Sequence, residues 1–312
     1  MTQTQRHRFQ KVAGLMGGPS AERPISLKSG AAVVAGLRQA GYDVAAVDVA
    51  DREVNLPQGV EAVFIAMHGV FGEDGQVQAI LDRRGIPYTG SGAVASRAAM
   101  DKIMTKLLLV EQGIPTPDFE VLRRGDRCSL PLPVVAKPVC EGSSIGVNYV
   151  FDEGAWDGAL AATLEHGDTA LVERFIEGRE LTVGIVADEA LPVVEIVPPK
   201  GRYDFFAKYT KGASRYQVPA LVDPRLAAGC QDAALRAFRA LGCRGMARVD
   251  FRARPDGQFF ALEVNTIPGF TETSLLPMAA GAAGIGFSDL CALIMETAQC
   301  GGRPAGRGGL GG

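Results

Sequence analysis

The sequence predicts a mixed fold, in which an α/β unit comes first and an α+β unit follows. Two patterns predict this order. The first ninety-odd residues alternate short apolar strands with helices, which is typical of a parallel sheet covered by helices. Beyond residue 113, most segments are typical of antiparallel strands joined by turns. The 312 residues are enough for two or three modules with a sizeable core.

In the first unit, apolar spacing and turn residues locate each element. One helix is expected to end before Gly41 and a shorter one before Gly85, because glycine favours the ends of helices. A longer amphipathic helix is predicted over 94–112 and a boundary between units close to residue 95. The other predicted elements are strands at 12–16, 44–49 and 62–67 and helices at 26–40 and 76–84.

The second unit is predicted from strand-length apolar runs. Residues 198–218 are polar, aromatic and irregular, and a connection of that length favours a functional lid. Residues 301–312 are nearly all glycine, arginine, proline and alanine, which predicts a disordered tail. The predicted strands are 133–138, 147–150, 170–175, 180–187 and 191–197, a hairpin turns near residue 256, and the predicted helices are 154–165, 224–241 and 287–298.

Composition and charge exclude several classes of protein. Hydrophobic residues make up 47% and charged residues 21%, as in a soluble globular protein, and a net charge of -3 gives no support for nucleic-acid binding. No apolar run approaches the length of a membrane span, and the segment 12–16 is too short for a signal peptide. The six cysteines have neither a C-x-x-C pair nor metal spacing, which indicates thiols in a reducing compartment. A cytoplasmic location is therefore expected.

Four polar side chains on two predicted strands are the main functional signal. Arg248 and Asp250 share one face of the first strand, and Glu263 and Asn265 share one face of the next, because side chains alternate. A hairpin centred near Asp256 would pair Asp250 with the residue two positions before Glu263, one diagonal step away. Oxygen ligands without histidine or cysteine favour Mg²⁺ or Mn²⁺. The alternative is a surface hairpin with solvated charges.

Three loops add further candidate chemistry. The strand that carries Lys137 is followed by 140–146, a glycine-rich and serine-rich loop that could fold over phosphates, although such residues also mark ordinary hairpins. Residues 16–23 follow the first strand but lack G-x-G-x-x-G spacing, so we interpret them as a substrate loop in which Glu22 offers a carboxylate to an amine. His68 ends a parallel strand, where it either faces a substrate or forms structural hydrogen bonds.

Taken in order, these motifs match one family. They are GGPSAER at 17–23, HG at 68–69 with GEDG at 72–75, YTGS at 88–91, MDK at 100–102, KP at 137–138, EGSSIG at 141–146, AKY at 207–209, RVD at 248–250 and EVNTIPG at 263–269. Over residues 10–298 the chain resembles the D-alanine–D-alanine ligases of the ATP-grasp superfamily. The resemblance implies an N-terminal Rossmann-like substrate domain followed by a two-part ATP-grasp fold. The implied bounds are 1–95 for the first domain, 96–178 for the central subdomain, 179–300 for the C-terminal subdomain with its lid 198–218, and 301–312 for the tail.

The resemblance also implies an activity and its cofactors. The activity is ATP-dependent, ADP-forming ligation of two D-alanines to D-alanyl-D-alanine through an acyl phosphate, for peptidoglycan precursor synthesis. The implied cofactors are ATP and two Mg²⁺ or Mn²⁺ ions, with a monovalent cation as a further candidate. The expected partners are D-alanine, ATP and a second copy of the chain in a homodimer, with no nucleic acid and no membrane.

The resemblance gives each motif residue a role. Arg248 and the backbone N–H of Gly269 would hold the developing oxyanion. Glu22 would bind the ammonium of the first D-alanine and act with Ser143 and Tyr209 on the second. Ser274 and Leu275 would receive the carboxylate of the second D-alanine, and His68 would contact a substrate. The ATP-binding residues would be Lys102, Lys137, Ser144, Glu173, Arg174, Phe175, Ile176, Glu180 and Lys208, and the metal ligands would be Asp250, Glu263 and Asn265.

Two departures from the family pattern and three alternatives remain. Phe206 replaces an acidic residue that many relatives have, and Cys140 lies in the phosphate loop, so lid behaviour and thiol sensitivity are open. A different ATP-grasp carboxylate–amine ligase would share the lysines and metal ligands but not the set of Glu22, Ser143 and Tyr209. A non-enzymatic nucleotide-binding member would be expected to lack Arg248 or a metal carboxylate. A nicotinamide dehydrogenase is disfavoured by the missing glycine fingerprint.

Overall fold

The computed structural model describes residues 7–198, 214–271 and 274–301, and these residues form three β-sheets with helices. A parallel sheet comes first along the chain, and two antiparallel sheets follow it, so the predicted mixed α/β class is confirmed. The predicted lid residues Phe206, Lys208 and Tyr209 lie outside the described residues, as does the tail beyond residue 301.

The first sheet places a loop at the edge where parallel sheets bind ligands. Its strands are β1 (Lys11–Gly17), β2 (Asp43–Val49) and β3 (Ala62–Ile65), in the order β2-β1-β3, and its helices are α1 (Arg23–Gln39) and α2 (Gln76–Arg83). α1 begins three residues before the prediction, because Pro24 lies in the first turn, where no N–H donor is needed. Glu22 therefore occupies the N-cap position directly after the loop that leaves β1.

The single helix predicted over 94–112 is wrong, because the chain forms two helices there. α3 (Ala93–Met100) ends at Asp101, which has an extended backbone, and α4 (Lys102–Glu111) starts at the next residue. The Asp101 carboxylate accepts hydrogen bonds from the backbone N–H groups of Ile103 and Met104, so it caps α4 and fixes the break. Lys102 and Lys106 both lie on α4. Because of the break, the direction of their side chains is set by α4 and not by α3.

The second sheet has one face in a core and one polar face. Its strands are β4 (Phe119–Leu122), β5 (Val134–Pro138), β6 (Asn148–Val150) and β7 (Ala170–Arg174), in the antiparallel order β4-β7-β5-β6, and its helix is α5 (Trp156–Thr163). β4 was not predicted, because four residues give too short a pattern. Val134 and Ala136 pack in a core with Leu160 of α5. Strand alternation places Lys137 and its neighbour Glu173 on the opposite face.

The third sheet likewise separates a core face from a polar face. Its strands are β8 (Arg179–Val186), β9 (Glu189–Ala190), β10 (Val194–Val197), β11 (Arg215–Gln217), β12 (Met246–Ala253) and β13 (Phe259–Asn265), in the order β11-β10-β8-β12-β13, with β9 on β8. Val183, Val249 and Val264 pack with Phe238 of α6 (Pro224–Ala240). β11 corrects the expectation that all of 198–218 is irregular: it pairs with β10 through Val197 and Arg215.

The predicted register of the β12–β13 hairpin is also corrected. Asp250 pairs directly with Glu263 rather than diagonally, and Arg248 pairs directly with Asn265. The register shifts between Asp250 and Phe251, because the partner of Phe251 is Ala261 and one extra residue lies between the two pairs on β13. Directly opposed residues share a face, so all four predicted polar side chains lie on the same side of the sheet.

The last two helices return to the first sheet. α7 (Leu275–Ala282) was not predicted, because its Pro277 and Gly281 disfavour a helix in isolation, although proline is tolerated in a first turn. α8 (Phe287–Glu296) packs against α1, and Leu276 and Ile294 share a core with Phe64 of β3. No single helix in the described ranges is long and apolar enough to span a membrane; α7 and α8 pass that test only jointly, across a bend of 104°.

Candidate active site

A cavity of about 590 Å³ opens between the loop after β1, the loop after β5 and the strand pair β12–β13. Loops at strand ends and the N-terminus of a helix supply most of its polar groups, as in other α/β ligand sites. The predicted site residues that line it are Glu22, His68, Lys102, Ser143, Arg248, Glu263, Asn265, Gly269, Ser274 and Leu275. Residues from distant parts of the sequence therefore meet at one cavity.

One hydrogen bond joins the substrate loop to the phosphate loop. Ser143 Oγ donates to a carboxylate oxygen of Glu22, across 121 positions of sequence. Gly142 lies so close that a Cβ there would approach Glu22 Oε2 to 2.9 Å, and a Cβ on Gly69 would approach it to 2.6 Å. Glycine at these two positions therefore leaves room for a carboxylate that is only 9% exposed.

The phosphate loop has an unusual backbone. Ser143 and Ser144 have φ values of 53° and 59°, and Gly146 has 69°, so three of four residues are left-handed. Successive N–H groups in such conformations can form a concave anion site. The carbonyl of Gly146 accepts bonds from Asn148 Nδ2 at 3.0 Å and Thr163 Oγ1 at 3.2 Å, which anchor the end of the loop.

Polar side chains of β12 and β13 form the opposite wall. The Arg248 guanidinium binds both carboxylate oxygens of Asp250 at 2.8 Å, and Thr182 Oγ1 donates to Asp250 at 2.6 Å. Glu263 lies beside them, and its carboxylate is 4.0 Å from Lys102 Nζ. Lys102 Nζ also donates to the Glu141 carbonyl at 2.6 Å.

The donor set on this wall fits a hard divalent cation. Asp250, Glu263 and Asn265 present two carboxylates and one amide oxygen on a single face, the ligand types that Mg²⁺ prefers. Within the described ranges no group of three or more histidine, cysteine, aspartate or glutamate side chains could hold a metal ion. Asp250 and Glu263 are only two such side chains, and the third oxygen ligand is the amide of Asn265.

A buried ionic cluster of two lysines and one glutamate lies near enough to Glu263 for the charge of Glu263 to act on both lysines. Glu173 is 2% exposed; one of its oxygens pairs with Lys137, and the other lies 2.6 Å from Lys106 Nζ. Burial acts to raise the pKa of Glu173, but the two ammonium groups outweigh it and hold the pKa at about 2. Burial lowers the pKa of Lys106, whereas at Lys137 the charges of Glu173 and Glu263 outweigh burial and raise the pKa. We take all three as charged, because one carboxylate contacts both ammonium groups.

The segment from Glu173 to Ile176 joins the two antiparallel sheets. Arg252 donates to the Ile176 carbonyl at 3.0 Å and to Glu180 Oε2 at 3.0 Å, and its guanidinium lies 5.5 Å from the centre of the Phe175 ring. Arg174 instead directs its side chain to Asp118 on the surface. On the side of the strand that carries Glu173, Arg174 can therefore offer a ligand only its backbone groups.

His68 holds a loop of the cavity from two sides. Its Nδ1 lies 3.0 Å from the Ile267 carbonyl, and its Nε2 lies 2.9 Å from Ser29 Oγ, which accepts a bond from the Phe270 N–H at 3.2 Å. Because a carbonyl only accepts, the network assigns the proton to Nδ1 and leaves Nε2 to accept from Ser29. The loop that contains Gly269 is therefore fixed on both flanks.

The N-terminus of α7 faces the same cavity. Ser274 is the N-cap residue, and its Oγ accepts the Thr271 N–H at 2.9 Å rather than capping the helix. The first N–H groups of α7, beginning with Leu275, have no partner within a helix, and the helix dipole favours an anion there. A substrate carboxylate suits this position.

Comparison with known proteins agrees with this geometry. A family model described as D-ala D-ala ligase C-terminus matches residues 108–296, and one described as D-ala D-ala ligase N-terminus matches residues 49–91. The chain belongs to the D-alanine–D-alanine ligase family. The D-alanine–D-alanine ligase of Syntrophotalea carbinolica is 48% identical over 95% of this chain and 99% of its own length. That of Methylacidiphilum infernorum is 47% identical over 91% and 94%.

Solved structures of the D-alanine–D-alanine ligase family show the same fold. The crystal structure of the enzyme from Bacillus anthracis complexed with ATP has a TM-score of 0.81 to this chain, with 31% sequence identity. The match covers 92% of this chain and 97% of that one. The family resemblance inferred from the motifs is confirmed.

Sequence reasoning missed several residues around this ligase-family site. Lys106, Ser29 and Thr182 are buried and bind predicted site residues, while Lys28 is exposed and lines the cavity. None carries a local signal except Lys28, which lies in the first turn of the predicted helix, directly after the substrate loop. Cys140 is exposed, and burial of part of its side chain raises the pKa of the thiol, so it has no sign of activation.

Proposed function

We propose that this chain joins two D-alanines to D-alanyl-D-alanine, with cleavage of ATP to ADP and phosphate, for peptidoglycan precursor synthesis. The observation that carries the proposal is the Ser143–Glu22 hydrogen bond. It joins a carboxylate that suits an amine to a loop that suits phosphates, in the cavity that Arg248, Glu263 and Gly269 also line. Nucleotide, metal and amino acid chemistry thereby converge on one space.

The first step transfers the γ-phosphoryl group of ATP to the carboxylate of the first D-alanine and releases ADP. Lys102, Lys137, Ser144 and Lys208 neutralise or bind the phosphates, and the ammonium of the amino acid binds Glu22. Asp250, Glu263 and Asn265 would hold two Mg²⁺ or Mn²⁺ ions. When bound, these ions supply charge neutralisation along the triphosphate.

The second step joins the two amino acids. The neutral amine of the second D-alanine attacks the acyl phosphate carbon, a tetrahedral oxyanion forms, and phosphate leaves as the C–O bond breaks and one amine proton is lost. Arg248 and the Gly269 N–H stabilise the oxyanion. Ser274 and Leu275 receive the carboxylate of the attacking D-alanine at the start of α7.

The nucleotide base and the lid complete the proposed complex. The adenine lies against the segment Glu173–Ile176, and Glu180 binds the ribose. Tyr209, outside the described residues, connects the lid to Ser143 and Glu22. We include His68 as a substrate contact, with the observation that both of its ring nitrogens already contact protein groups. A monovalent cation remains a candidate activator.

We extend the proposal to the architecture of the whole protein. The parallel sheet with its helices is a Rossmann-like domain over residues 1–95, and the two antiparallel sheets are the ATP-grasp subdomains 96–178 and 179–300. The chain acts as a cytoplasmic homodimer without nucleic-acid or membrane partners. The net charge of -3 supports the lack of a nucleic-acid partner, and the parallel order of the first sheet supports the Rossmann-like domain.

The test is phosphate release with ATP, Mg²⁺ and a panel of D- and L-amino acids, with mass spectrometry of the products. We expect release with D-alanine and a product with the mass of the dipeptide. Ser143→Ala should lower turnover strongly, because it breaks the link to Glu22, whereas Lys11→Met, which changes an exposed lysine bonded to the Gln58 carbonyl, should not. Turnover with an L-amino acid or another amine in place of D-alanine would contradict the proposal.

A further inference from the structure

Lys106 is the buried charge that the proposed mechanism leaves without a role. The residue is fully buried on α4, and its Nζ donates to Thr116 Oγ1 at 2.6 Å as well as contacting Glu173. Thr116 Oγ1 donates in turn to the Ala261 carbonyl of β13 at 2.7 Å. A well-packed apolar side chain is often at least as stabilising as a buried ionic group, so packing alone does not account for an ammonium here.

Glu173 divides its charge between two lysines. Its Oε1 pairs with Lys137 and its Oε2 lies 2.6 Å from Lys106 Nζ. The contact of Oε2 with Lys106 is a short ion pair, so the charge of Lys106 acts directly on the Glu173 carboxylate. The three side chains together carry one net positive charge.

This net charge lies close to the metal wall. The charge of Glu263 acts on both Lys106 and Lys137, and Glu263 is 4.0 Å from Lys102 Nζ. Lys137 is partly accessible, with 12% of its side chain exposed, whereas Lys106 is fully buried. Lys106 therefore cannot touch a nucleotide and can act on one only at a distance, through its charge and its contact with Glu173.

We propose that Lys106 is a positioning residue that compensates the charge of Glu173, which contacts both lysines, and so keeps this cluster positive toward the phosphates of ATP. The inference rests on the proposed ATP-dependent function. Without Lys106, the Glu173 carboxylate would cancel the charge of Lys137. With it, the cluster retains one positive charge for the nucleotide, at a site of low dielectric where a charge acts strongly.

The test compares the affinities for ATP and for adenosine, because their ratio isolates the phosphates and cancels contacts to the base. Both are measured by calorimetry or competition with Mg²⁺ present. Lys106→Met should lower the ratio about tenfold, and Glu173→Gln should raise it. The double variant restores a net charge of one and should return the ratio to the wild-type value. Lys11→Met, with the same change of charge on the surface, should leave the ratio unchanged.

These outcomes separate charge from simple packing. A Lys106→Met variant that melts earlier but keeps the wild-type ratio would overturn the proposal. If Lys106→Met does not fold, Glu173→Gln and the double variant still differ only in the charge of Lys106, and equal ratios for them would overturn it as well. Failure of the wild type to bind ATP would instead refute the proposed function. Recovery of the ratio in the double variant, without recovery of the melting temperature, supports the proposal.

Discussion

Ser29→Ala offers a direct test of how the loop around Gly269, which we propose binds the oxyanion, is held. Ser29 Oγ is fully buried, accepts the Phe270 N–H at 3.2 Å and lies 2.9 Å from His68 Nε2. Alanine removes both bonds without adding bulk. Gly269, the neighbour of Phe270, would keep its N–H but lose the restraint on one side of its loop.

The expected magnitudes follow from the groups left without partners. A buried polar group that loses its hydrogen bond costs about 1–3 kcal/mol, so two of them should lower the free energy of unfolding by about 2–6 kcal/mol. Complete loss of an oxyanion donor costs about 10²–10³ in kcat, and a donor that is present but poorly held should cost less, about tenfold. KM for ATP should stay unchanged, because no proposed nucleotide contact is altered.

The assay is steady-state phosphate release, with melting temperature measured on the same samples. Thr105→Val is a matched control: its hydroxyl is buried and bonds to the carbonyls of Ala98 and Ala99, remote in sequence from the loop 267–270. It should cost stability but not kcat. Unchanged kcat in Ser29→Ala, or an equal loss in both variants, would refute the view that Ser29 positions the Gly269 loop.

Three further predictions concern the proposed metal ligands, the buried ionic cluster and the proposed product. Glu263→Gln should abolish turnover at ordinary Mg²⁺ with an unchanged circular dichroism spectrum, because it removes a proposed metal carboxylate; wild-type-like phosphate release would contradict this. The pKa of Glu173 is lowered from 4.5 to about 2, so the difference in melting temperature between wild type and Glu173→Gln should be constant above pH 4.5 and shrink as pH falls toward 2. Tyr209→Phe should raise the share of D-lactate ester in mixed-substrate products, most below about pH 7, where the amine of alanine is protonated; an unchanged product ratio would argue against this role.

Local periodicity predicted which side chains share a face, and it did so independently of register. Arg248 and Asp250 lie two apart on one strand, as do Glu263 and Asn265, so each pair had to face one way. The direct pairing of Asp250 with Glu263 depends on an extra residue in β13, and a bulge of that kind is set by tertiary packing rather than by a turn motif. The sequence therefore predicted that each pair of polar side chains shares a face, but it did not predict the register between β12 and β13.

Some features missing from the prediction have a sequence signal, and others do not. The break at Asp101 has one, because an aspartate followed by a helical run is a cap signal. It was overlooked because the amphipathic spacing continues on both sides of Asp101. The contacts of Ser29 and Lys106 could not be predicted, because their partners are 39 or more positions away along the chain, at His68 and Glu173. A short-range pattern contains no information about such pairs.

Ser29 and Lys106 contact groups that hold other, conformationally free parts of the site. Lys137 has a flexible four-carbon stem, and Gly269 lies in a loop, so neither is held in place by its own local structure. Each is restrained by a buried polar residue of another element: α4 acts on Lys137 through Glu173, and α1 acts on the Gly269 loop through His68 and Phe270. Catalysis by preorganised charge requires that such groups do not reorient during the reaction. The buried polar contacts that sequence patterns could not predict are accordingly those that hold the predicted residues in their working positions.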